Sequence, residues 1–151
     1  EAGSTGMSIS IQMVIPANTA LLANISDDVF DYAIASDKLK TFLADSRHGM
    51  FIAMDDALVV GQIRGNVHLQ PDRASDLYID NLGVAPSHQR RGVASRLIEA
   101  LIEWGEAQGC TYIWVATEID NDGGIRFYEA QSFERRRLEW FASTIGSGAE
   151  R

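Results

Sequence analysis

The sequence predicts an α+β domain: a mixed, mostly antiparallel twisted sheet flanked by helices, in the order β-α-α-β-β-β-α-β-α-β. Two patterns predict the elements, because short segments alternate apolar and polar residues as strands do, and longer ones space apolar residues three and four apart as helices do. A third observation predicts that the sheet is mixed. The middle strands are joined by a short turn, whereas helices separate the later ones, so antiparallel neighbours and crossover connections are both expected.

The N-terminal part is predicted to hold one strand and two helices. Residues 9–13 alternate isoleucine and methionine with polar side chains and are followed by Pro16, which indicates a strand that ends there. Apolar residues with three-and-four spacing then predict helix from about residue 18 to residue 45. Within this stretch, Ser36-Asp37 is expected to supply the N-cap of a second, shorter helix.

The middle of the chain reads as three strands. Residues 50–54 and 58–69 are rich in apolar residues and are separated by Asp55-Asp56, which favours a hairpin. Residues 76–84 form the next predicted strand, which ends before Pro86.

The last four elements begin with the clearest helix of the chain, residues 91–108, which carries an apolar face opposite a row of glutamates. Gly105 on the apolar face weakens this helix unless a neighbour packs close against it, and Gly109 is expected to end it in the left-handed conformation. A short apolar strand expected at the centre of the sheet, a short helix and a terminal strand follow, over residues 112–116, 124–131 and 133–141.

Length and composition indicate one domain, over residues 7–141 of the 151. Residues 1–6 read as a cloning remnant ahead of a natural start at Met7, and residues 142–151 as a flexible tail. The single cysteine, Cys110, excludes an internal disulfide framework, so a reduced, cytoplasmic setting is expected. No metal site is predicted, because the three histidines lack metal-ligand spacing.

The charge narrows the possible partners. Thirteen Lys and Arg against 21 Asp and Glu give a net charge of −8. Nucleic acid and anionic membrane surfaces would be repelled on average, so neither is an expected partner, whereas a cationic small molecule or a basic peptide would be attracted.

The junction between the predicted strand 76–84 and the helix 91–108 is the segment most suggestive of chemistry. Gly92 stands where the loop becomes a helix, so backbone N–H groups can point at one centre without a Cβ in the way. The positive end of the helix dipole, Arg90-Arg91 and the Ser95 hydroxyl would favour a phosphate or pyrophosphate there. On spacing alone, an ordinary solvated loop fits the same residues equally well.

The same segment resembles a known family. Gln89-Arg90-Arg91-Gly92-Val93-Ala94 is similar to the Gln/Arg-x-x-Gly-x-Gly/Ala signature of the GNAT superfamily of N-acetyltransferases. Leu82-Gly83-Val84 before it and Phe127-Tyr128-Glu129 with Phe133 after it resemble the strand end and the Tyr-Glu-x-x-Gly-Phe segment of that family. The resemblance covers residues 50–141 well and the N-terminal part only in element order.

The resemblance implies an enzyme that transfers the acetyl group of acetyl-CoA to an amine and releases CoA. It implies that backbone amides hold the pyrophosphate, that a strand edge pairs with the pantetheine arm, and that Tyr128 gives a proton to the departing thiolate. The residues it assigns to the cofactor are Leu82, Gly83, Val84, Gln89, Arg90, Arg91, Gly92, Val93, Ala94, Ser95, Asn121 and Tyr128. By itself Tyr128 would also fit a half-buried helix residue.

Carboxylates are the candidates for receiving the amine. Asp80, inside an otherwise apolar strand, is a candidate catalytic base and substrate ligand, although a satisfied buried carboxylate or an edge position facing water fits as well. Glu118, Asp120 and Asp122 follow the next strand and would bind a polycation, with a solvated acidic loop as the alternative.

Among these enzymes the chain is most similar to the aminoglycoside 3-N-acetyltransferases, which implies an aminoglycoside with acetylation at its 3-amino group. A polyamine, a basic peptide N-terminus, or a non-catalytic acyl-CoA-binding sensor remain alternatives, and a homodimer is possible. Two departures from the family pattern affect the surroundings of Tyr128: Ser132 replaces a glycine, and Gly123-Gly124 opens the short helix.

Overall fold

The computed structural model describes residues 8–147, so the predicted remnant 1–6 and the end of the predicted tail, 148–151, lie outside the described residues. The chain divides into two compact units, residues 1–116 and 117–151. The first holds β1 (Ile9–Met13), α1 (Ser36–Ala44), β2 (His48–Asp55), β3 (Leu58–His68), β4 (Asp76–Val84), α2 (Val93–Ala107) and β5 (Tyr112–Trp114), with 3-10 turns at Pro16–Ala23 and Pro86–His88. The second holds α3 (Asp122–Ala130).

The sheet confirms the predicted fold class. Its strands lie in sequence order, with β1 to β4 antiparallel to their neighbours and β5 parallel to β4. A tight turn joins β2 to β3, where Asp56 takes a left-handed φ of 57°. The crossover through α2 is what makes β5 parallel to β4, as the spacing of the elements predicts.

The core lies between α2 and one face of the sheet. Leu97, Ile98 and Leu101 of the helix are at most 1% exposed, and each such burial stabilises the fold by about 1.5–3 kcal/mol. The helix approaches closely at Gly105, where a Cβ would lie 2.6 Å from a methyl group of Leu77. This is the close neighbour that a glycine in the helix requires, and Gly109 ends α2 with a φ of 92° as predicted.

The N-terminal helix prediction is wrong over most of its length. Residues 16–23 form a 3-10 turn, residues 24–35 are largely irregular, and only Ser36–Ala44 is α-helical, with Ala35 rather than Ser36 at the N-cap. Backbone pairing with β3 accounts for part of the break, because the Ser26 N–H donates to the Val59 carbonyl and the Val59 N–H donates to the Asn24 carbonyl, both at 2.9 Å. Backbone groups that are paired in this way are not available for helical hydrogen bonds.

Two predictions about the late strands are also wrong. The apolar segment 112–116 forms a strand only over Tyr112–Trp114, and it lies at the edge of the sheet, with Tyr112 58% exposed. Residues 133–141 form no strand in the part of the chain that the structure describes. Both segments have strand-like sequences, but strand position and strand formation depend on a pairing partner that periodicity does not reveal.

None of the helices in residues 8–147 is long and apolar enough to cross a membrane.

Candidate active site

The loop that enters α2 has the geometry of an anion site. Gly92 is the N-cap, with a φ of 79°, and a Cβ at this position would meet no atom within 4 Å, so conformation rather than space favours glycine. The first helical hydrogen bond of this turn runs from the Arg96 N–H to the Gly92 carbonyl at 3.1 Å. The N–H groups at the start of a helix lie ahead of its internal hydrogen bonds and can face a ligand. Arg90 and Arg91 are exposed beside them, and Arg90 takes a left-handed φ of 61°.

Side-chain hydrogen bonds hold this loop against the sheet. Gln89 donates from Nε2 to the Val84 carbonyl at 3.0 Å, which joins the start of the loop to the end of β4. His88 Nε2 lies 2.8 Å from Asp55 Oδ2 at the end of β2, and Ser87 Oγ lies 2.7 Å from His88 Nδ1. The Gln89 side chain therefore stabilises the conformation of the loop. Val93 does so as well, because its side chain is 1% exposed and only its backbone can face a ligand.

The end of β4 beside this loop has an open edge. β5 pairs with Asp76, Leu77 and Tyr78, and among the described strands none pairs with β4 on that side from residue 79 to residue 84. The backbone groups of the half-buried segment 82–84 that point away from β3 are therefore available to an extended partner that carries amides. The predicted residues Leu82, Gly83 and Val84 occupy this edge. Their assignment to a cofactor stays a prediction.

Close packing gives a structural reason for glycine at position 83 of this segment. A Cβ on Gly83 would lie 2.3 Å from the carbonyl oxygen of Val29, so only glycine lets the segment 24–35 approach β4 this closely. Val29 itself is 1% exposed.

A polar cluster covers the sheet face opposite α2. Gln62, Arg64 and Asn66 alternate along β3, and Gly61 and Gly65 between them face α2. On the neighbouring strand, Asp80 and Asn81 lie at a bulge where the register shifts, since Gly65 pairs with Ile79 and Arg64 pairs with Asn81. The bulge leaves Asp80 without a partner residue on β3, and bulges commonly redirect side chains in this way.

Hydrogen bonds connect this cluster. Asn66 Nδ2 lies 3.4 Å from Asp80 Oδ2, and Gln62 donates from Nε2 to Asn81 Oδ1 at 2.6 Å and to the Val29 carbonyl at 3.1 Å. Asn81 in turn donates from Nδ2 to Asp31 Oδ2 at 3.3 Å. Within the described residues the Gln62 Oε1 atom is buried without a hydrogen-bond partner, so this buried amide can still accept one hydrogen bond.

The surroundings of Asp80 suit a proton acceptor. Asp80 is exposed at its side chain, yet the groups packed around its carboxyl desolvate it and raise its pKa above the usual 3.8. This effect outweighs the charges of Arg64 and His48 and the hydrogen bond from Asn66, which lower the pKa. Burial lowers the pKa of Arg64, while the charges of Asp80 and Asp31 raise it. A carboxylate with a raised pKa is a better base at neutral pH than an ordinary aspartate, provided that it remains ionised.

In the second unit, Tyr128 is half-buried on α3. Its ring packs against those of Phe127 and Phe133, at centroid distances of 5.1 and 5.4 Å. Burial raises the pKa of the phenol to about 12, so the hydroxyl is protonated throughout the neutral range.

The turn that follows Tyr128 explains one departure from the family pattern. The N–H of Phe133 bonds the Tyr128 carbonyl and that of Ser132 bonds the Glu129 carbonyl, both at 3.0 Å, which is a Schellman motif. Its left-handed position is Ser132, with a φ of 69°, where glycine would be unstrained.

The acidic loop and Asn121 also lie in the second unit. Glu118, Asp120 and Asp122 are exposed. Asn121 is the N-cap of α3: its Oδ1 accepts from the Gly124 N–H at 3.1 Å, and its Nδ2 donates to Thr117 Oγ1 at 2.8 Å. A Cβ on Gly124 would lie 2.4 Å from the Asn121 side chain, so this glycine makes the cap possible. The helix accordingly begins at Asp122, ahead of the predicted start.

Of the predicted site residues, the first unit therefore brings together Asp80, the edge 82–84 and the loop 89–95, whereas Tyr128, Asn121 and the acidic residues belong to the second. The sequence interpretation missed five polar residues around Asp80: Asp31, Gln62, Arg64, Asn66 and Asn81. A signal existed in β3, where a polar side chain occupies every second position between glycines and apolar residues.

Comparisons with known proteins agree with this geometry. The model of the acetyltransferase (GNAT) family matches residues 19–133. The chain is 32% identical over 88 residues to the aminoglycoside N(6′)-acetyltransferase type 1 of Salmonella typhimurium, a match that covers 56% of this chain and 61% of the relative. The chain thus spans less than two thirds of the length of that relative.

Two solved structures share the fold. An aminoglycoside acetyltransferase from an uncultured soil metagenomic sample, HMB0005, superposes with a TM-score of 0.80 at 25% identity, covering 93% of this chain and 100% of the other. AAC(6′)-Iy in complex with the bisubstrate analogue CoA-S-monomethyl-acetylneamine superposes with a TM-score of 0.77 at 21% identity, covering 91% and 99%. Because the family model spans most of its length, the chain belongs to the acetyltransferase (GNAT) family.

Proposed function

We propose that the protein is an N-acetyltransferase that moves the acetyl group of acetyl-CoA to an amine of an aminoglycoside antibiotic, and so confers resistance to it. The observation that carries the proposal is the open edge of β4 over residues 79–84, which leads directly into the glycine-capped N-terminus of α2. An extended amide chain that ends in a pyrophosphate matches these two features in order. Since acetyl-CoA is the donor, we expect the enzyme to act in the cytoplasm.

The residues present fit acetyl-CoA. The backbone amides of the segment 90–95 would hold the pyrophosphate, because the helix N-terminus and two exposed arginines concentrate positive charge there. The backbone of 82–84 would pair with the pantetheine arm. Asn121 serves α3 as a cap, so we expect its contribution to the cofactor to come through the helix that it starts.

Two side chains would handle protons in the reaction. Asp80 would take the proton of the substrate ammonium, which frees the nitrogen lone pair to form the new N–C bond. Tyr128 would give its proton to the sulfur as the C–S bond breaks, because its raised pKa keeps the hydroxyl protonated at neutral pH. CoA would then depart as a neutral thiol, and the second proton that the nitrogen loses as the amide forms would return to the Tyr128 phenolate.

The substrate class is supported by charge and by the named relatives. Aminoglycosides are polycations, the chain carries a net charge of −8, and Glu118, Asp120 and Asp122 form an exposed acidic segment. The Salmonella relative is named for the 6′ nitrogen, whereas the sequence interpretation favours the 3-amino group. We propose the 6′ nitrogen as the acceptor.

Release of the CoA thiol from acetyl-CoA tests the activity. We expect saturable turnover with aminoglycosides, and none with polyamines or basic peptides. Binding of acetyl-CoA without turnover on any amine would contradict the proposal and favour a sensor. The position of acetylation is tested with two aminoglycosides that differ only at the 6′ position, where one carries an amino group and the other a hydroxyl group. Equal turnover of both compounds would contradict acetylation at the 6′ nitrogen and would favour the 3-amino group as the acceptor.

We also propose that the protein forms a homodimer through residues 133–145. Leu138, Trp140, Phe141 and Ile145 are 79–92% exposed, and the sequence predicts a strand over residues 133–141 of this segment. A second copy is the proposed occupant, because β5 presents an exposed sheet edge in every copy, so that two copies can satisfy each other symmetrically.

Light scattering after size-exclusion chromatography tests the dimer. Wild type is expected at the mass of two chains and the Trp140→Ser/Phe141→Ser variant at the mass of one. Tyr32→Ser, which removes another aromatic ring that is 77% exposed, is the control and should leave the mass unchanged. A wild-type protein that elutes as a monomer at micromolar concentration would contradict this proposal.

A further inference from the structure

The turn at Gly92 is held to the sheet on both of its sides. Before the turn, His88 Nε2 lies 2.8 Å from Asp55 Oδ2 at the end of β2. After the turn, Arg96 donates from Nη1 to the Ile9 carbonyl of β1 at 2.8 Å. Asp55 and Ile9 are register partners in the β1–β2 ladder, so both contacts end at one place in the sheet. We call this pair of residues the Asp55–Ile9 anchor.

The contact of His88 with the anchor is well defined. The His88 side chain is 11% exposed, so it lies largely within the fold. An ionised carboxylate only accepts hydrogen bonds, so Nε2 carries a hydrogen and donates to Asp55. At the other ring nitrogen, Ser87 Oγ lies 2.7 Å from Nδ1, and a hydroxyl can donate or accept there. Both nitrogens therefore have partners, which fixes the orientation of the ring.

Backbone hydrogen bonds hold the chain that leads to His88. The Ala85 N–H donates to the Val60 carbonyl of β3 at 2.8 Å, and the Ala85 side chain is fully buried. The His88 N–H in turn donates to the Ala85 carbonyl at 2.8 Å, in the 3-10 turn Pro86–His88. The chain is therefore fixed as far as His88, and the segment 89–92 connects this fixed point to α2.

The segment 89–92 needs support because its backbone is strained. Arg90 takes a φ of 61° and Gly92 a φ of 79°, so a left-handed residue that carries a Cβ lies close to a left-handed glycine. A residue with a Cβ is disfavoured in this conformation and persists in it only where its surroundings hold it. For Arg90 these surroundings are the anchored His88 on one side and the anchored first turn of α2 on the other.

We infer that the Asp55–Ile9 anchor sets the conformation of the segment 89–92, and thereby the affinity of the protein for the pyrophosphate of CoA. His88 and Arg96 are the positioning residues, because each contacts the sheet at the anchor. Amides in a loop that is not held would have to be ordered on binding, and this cost would weaken the affinity. The inference rests on the proposed function, in which the backbone amides of the segment 90–95 hold this pyrophosphate.

The affinity for CoA tests the inference. His88→Ala removes the contact with Asp55 and should raise the Kd of CoA, measured by calorimetry, about tenfold, as expected for one lost hydrogen bond to a charged group. His88→Gln keeps a side-chain donor and should recover part of this loss. His68→Ala, which removes an exposed histidine at the far end of β3, is the matched control and should leave the Kd unchanged.

Asp55→Ala removes the same contact from the other side, and it replaces His88→Ala if the latter does not fold. The loss of a carboxylate near the turn would by charge alone favour an anion and lower the Kd of CoA. A raised Kd in Asp55→Ala can therefore be attributed to the lost contact. The double variant should bind CoA no more weakly than the weaker of the two single variants, because both changes remove one interaction. A lowered Kd in Asp55→Ala would contradict the inference.

Pantetheine distinguishes positioning of the turn from a general loss of structure. It carries the amides that would pair with residues 82–84 but lacks the pyrophosphate. Its Kd, measured by NMR titration, should therefore be the same in wild type and in His88→Ala. Equal losses of affinity for CoA and pantetheine, or an unchanged Kd of CoA in His88→Ala, would overturn the inference.

A second readout does not depend on CoA. Backbone order parameters from nitrogen-15 relaxation, measured without ligand, should fall for residues 89–92 in His88→Ala and stay unchanged in β4. If wild type does not bind CoA, the proposed function fails, and a fall of the order parameters would still show that the anchor holds the segment 89–92. Unchanged order parameters in His88→Ala would show that the anchor does not set its conformation, and the inference would be overturned.

Discussion

The start of α2 and the end of α3 each contain a residue in the left-handed conformation, and both lie next to groups to which the proposed function gives a role. The two turns differ in the type of residue that adopts this conformation. At the start of α2 it is Gly92, with a φ of 79°, and at the end of α3 it is Ser132, with a φ of 69°. In the proposed function the first turn presents N–H groups outward to acetyl-CoA, whereas the second closes a helix and packs Phe133 against Tyr128. Glycine is needed where a ligand approaches the backbone, and a strained serine suffices where the neighbour is another side chain of the same turn.

The largest expected effect is at the second turn. Tyr128→Phe keeps the ring packing against Phe127 and Phe133 but removes the hydroxyl that would protonate the leaving sulfur. We expect kcat to fall about 100-fold, within the usual range for general acid catalysis, with an unchanged Kd for acetyl-CoA. Steady-state kinetics and calorimetry measure the two quantities. An unchanged kcat would remove Tyr128 from the mechanism and leave it a packing residue.

The same variant should change stability at alkaline pH. The pKa of Tyr128 is raised to about 12 in the folded state, so the folded protein binds this proton more tightly than the unfolded chain does. Its stabilising effect is fully present below pH 10 and is lost as the pH rises to 12. By urea denaturation, wild type should lose on the order of 2 kcal/mol relative to Tyr128→Phe over this interval. If the free energy of unfolding of the two proteins changed in parallel between pH 10 and pH 12, the raised pKa of the Tyr128 phenol would be contradicted.

At the first turn, Gly92→Val should weaken acetyl-CoA binding about tenfold, because a β-branched residue disfavours the positive φ that directs the amides outward. Gly109→Val is the matched control at the other end of α2. That glycine has a φ of 92°, and a Cβ there also meets no atom within 4 Å. Both variants should lose similar stability, while only Gly92→Val should raise the Kd measured by calorimetry. Equal Kd values would show that the turn at Gly92 has no role in binding.

The smallest effect should come from Ser132→Gly. Removing the Cβ relieves the left-handed strain, and we expect a gain of roughly 1 kcal/mol in the free energy of unfolding, measured with urea. Ser143→Gly, at an exposed position with no positive φ, should not stabilise the protein. A loss of stability in Ser132→Gly would mean that the serine hydroxyl contributes more than the strain removes.

The prediction of the fold succeeded where one element carries its own signal. Strand 76–84 and helix 91–108 were found within two residues of β4 and α2, since each has an uninterrupted period and a clear stop at Pro86 or Gly109. The prediction failed at residues 18–35, where the backbone of residues 24–26 pairs with Val59 of β3 instead of continuing a helix. It failed again at residues 133–141, because a strand forms only with a partner.

For the candidate site, the sequence by itself determined the glycine-capped loop and the strand that leads into it, because both depend on local backbone preferences that single residues impose. It also singled out Asp80 as an acidic residue in an apolar strand. Only the tertiary structure decided that β5 leaves the end of β4 open, that a bulge turns Asp80 toward Asn66, and that hydrogen bonds join Gln62 to Asn81 and Asn81 to Asp31. These features arise from pairing and packing between segments that are distant in the chain. The hydrophobic periodicity and composition of a single segment do not reveal which other segment it will pair with.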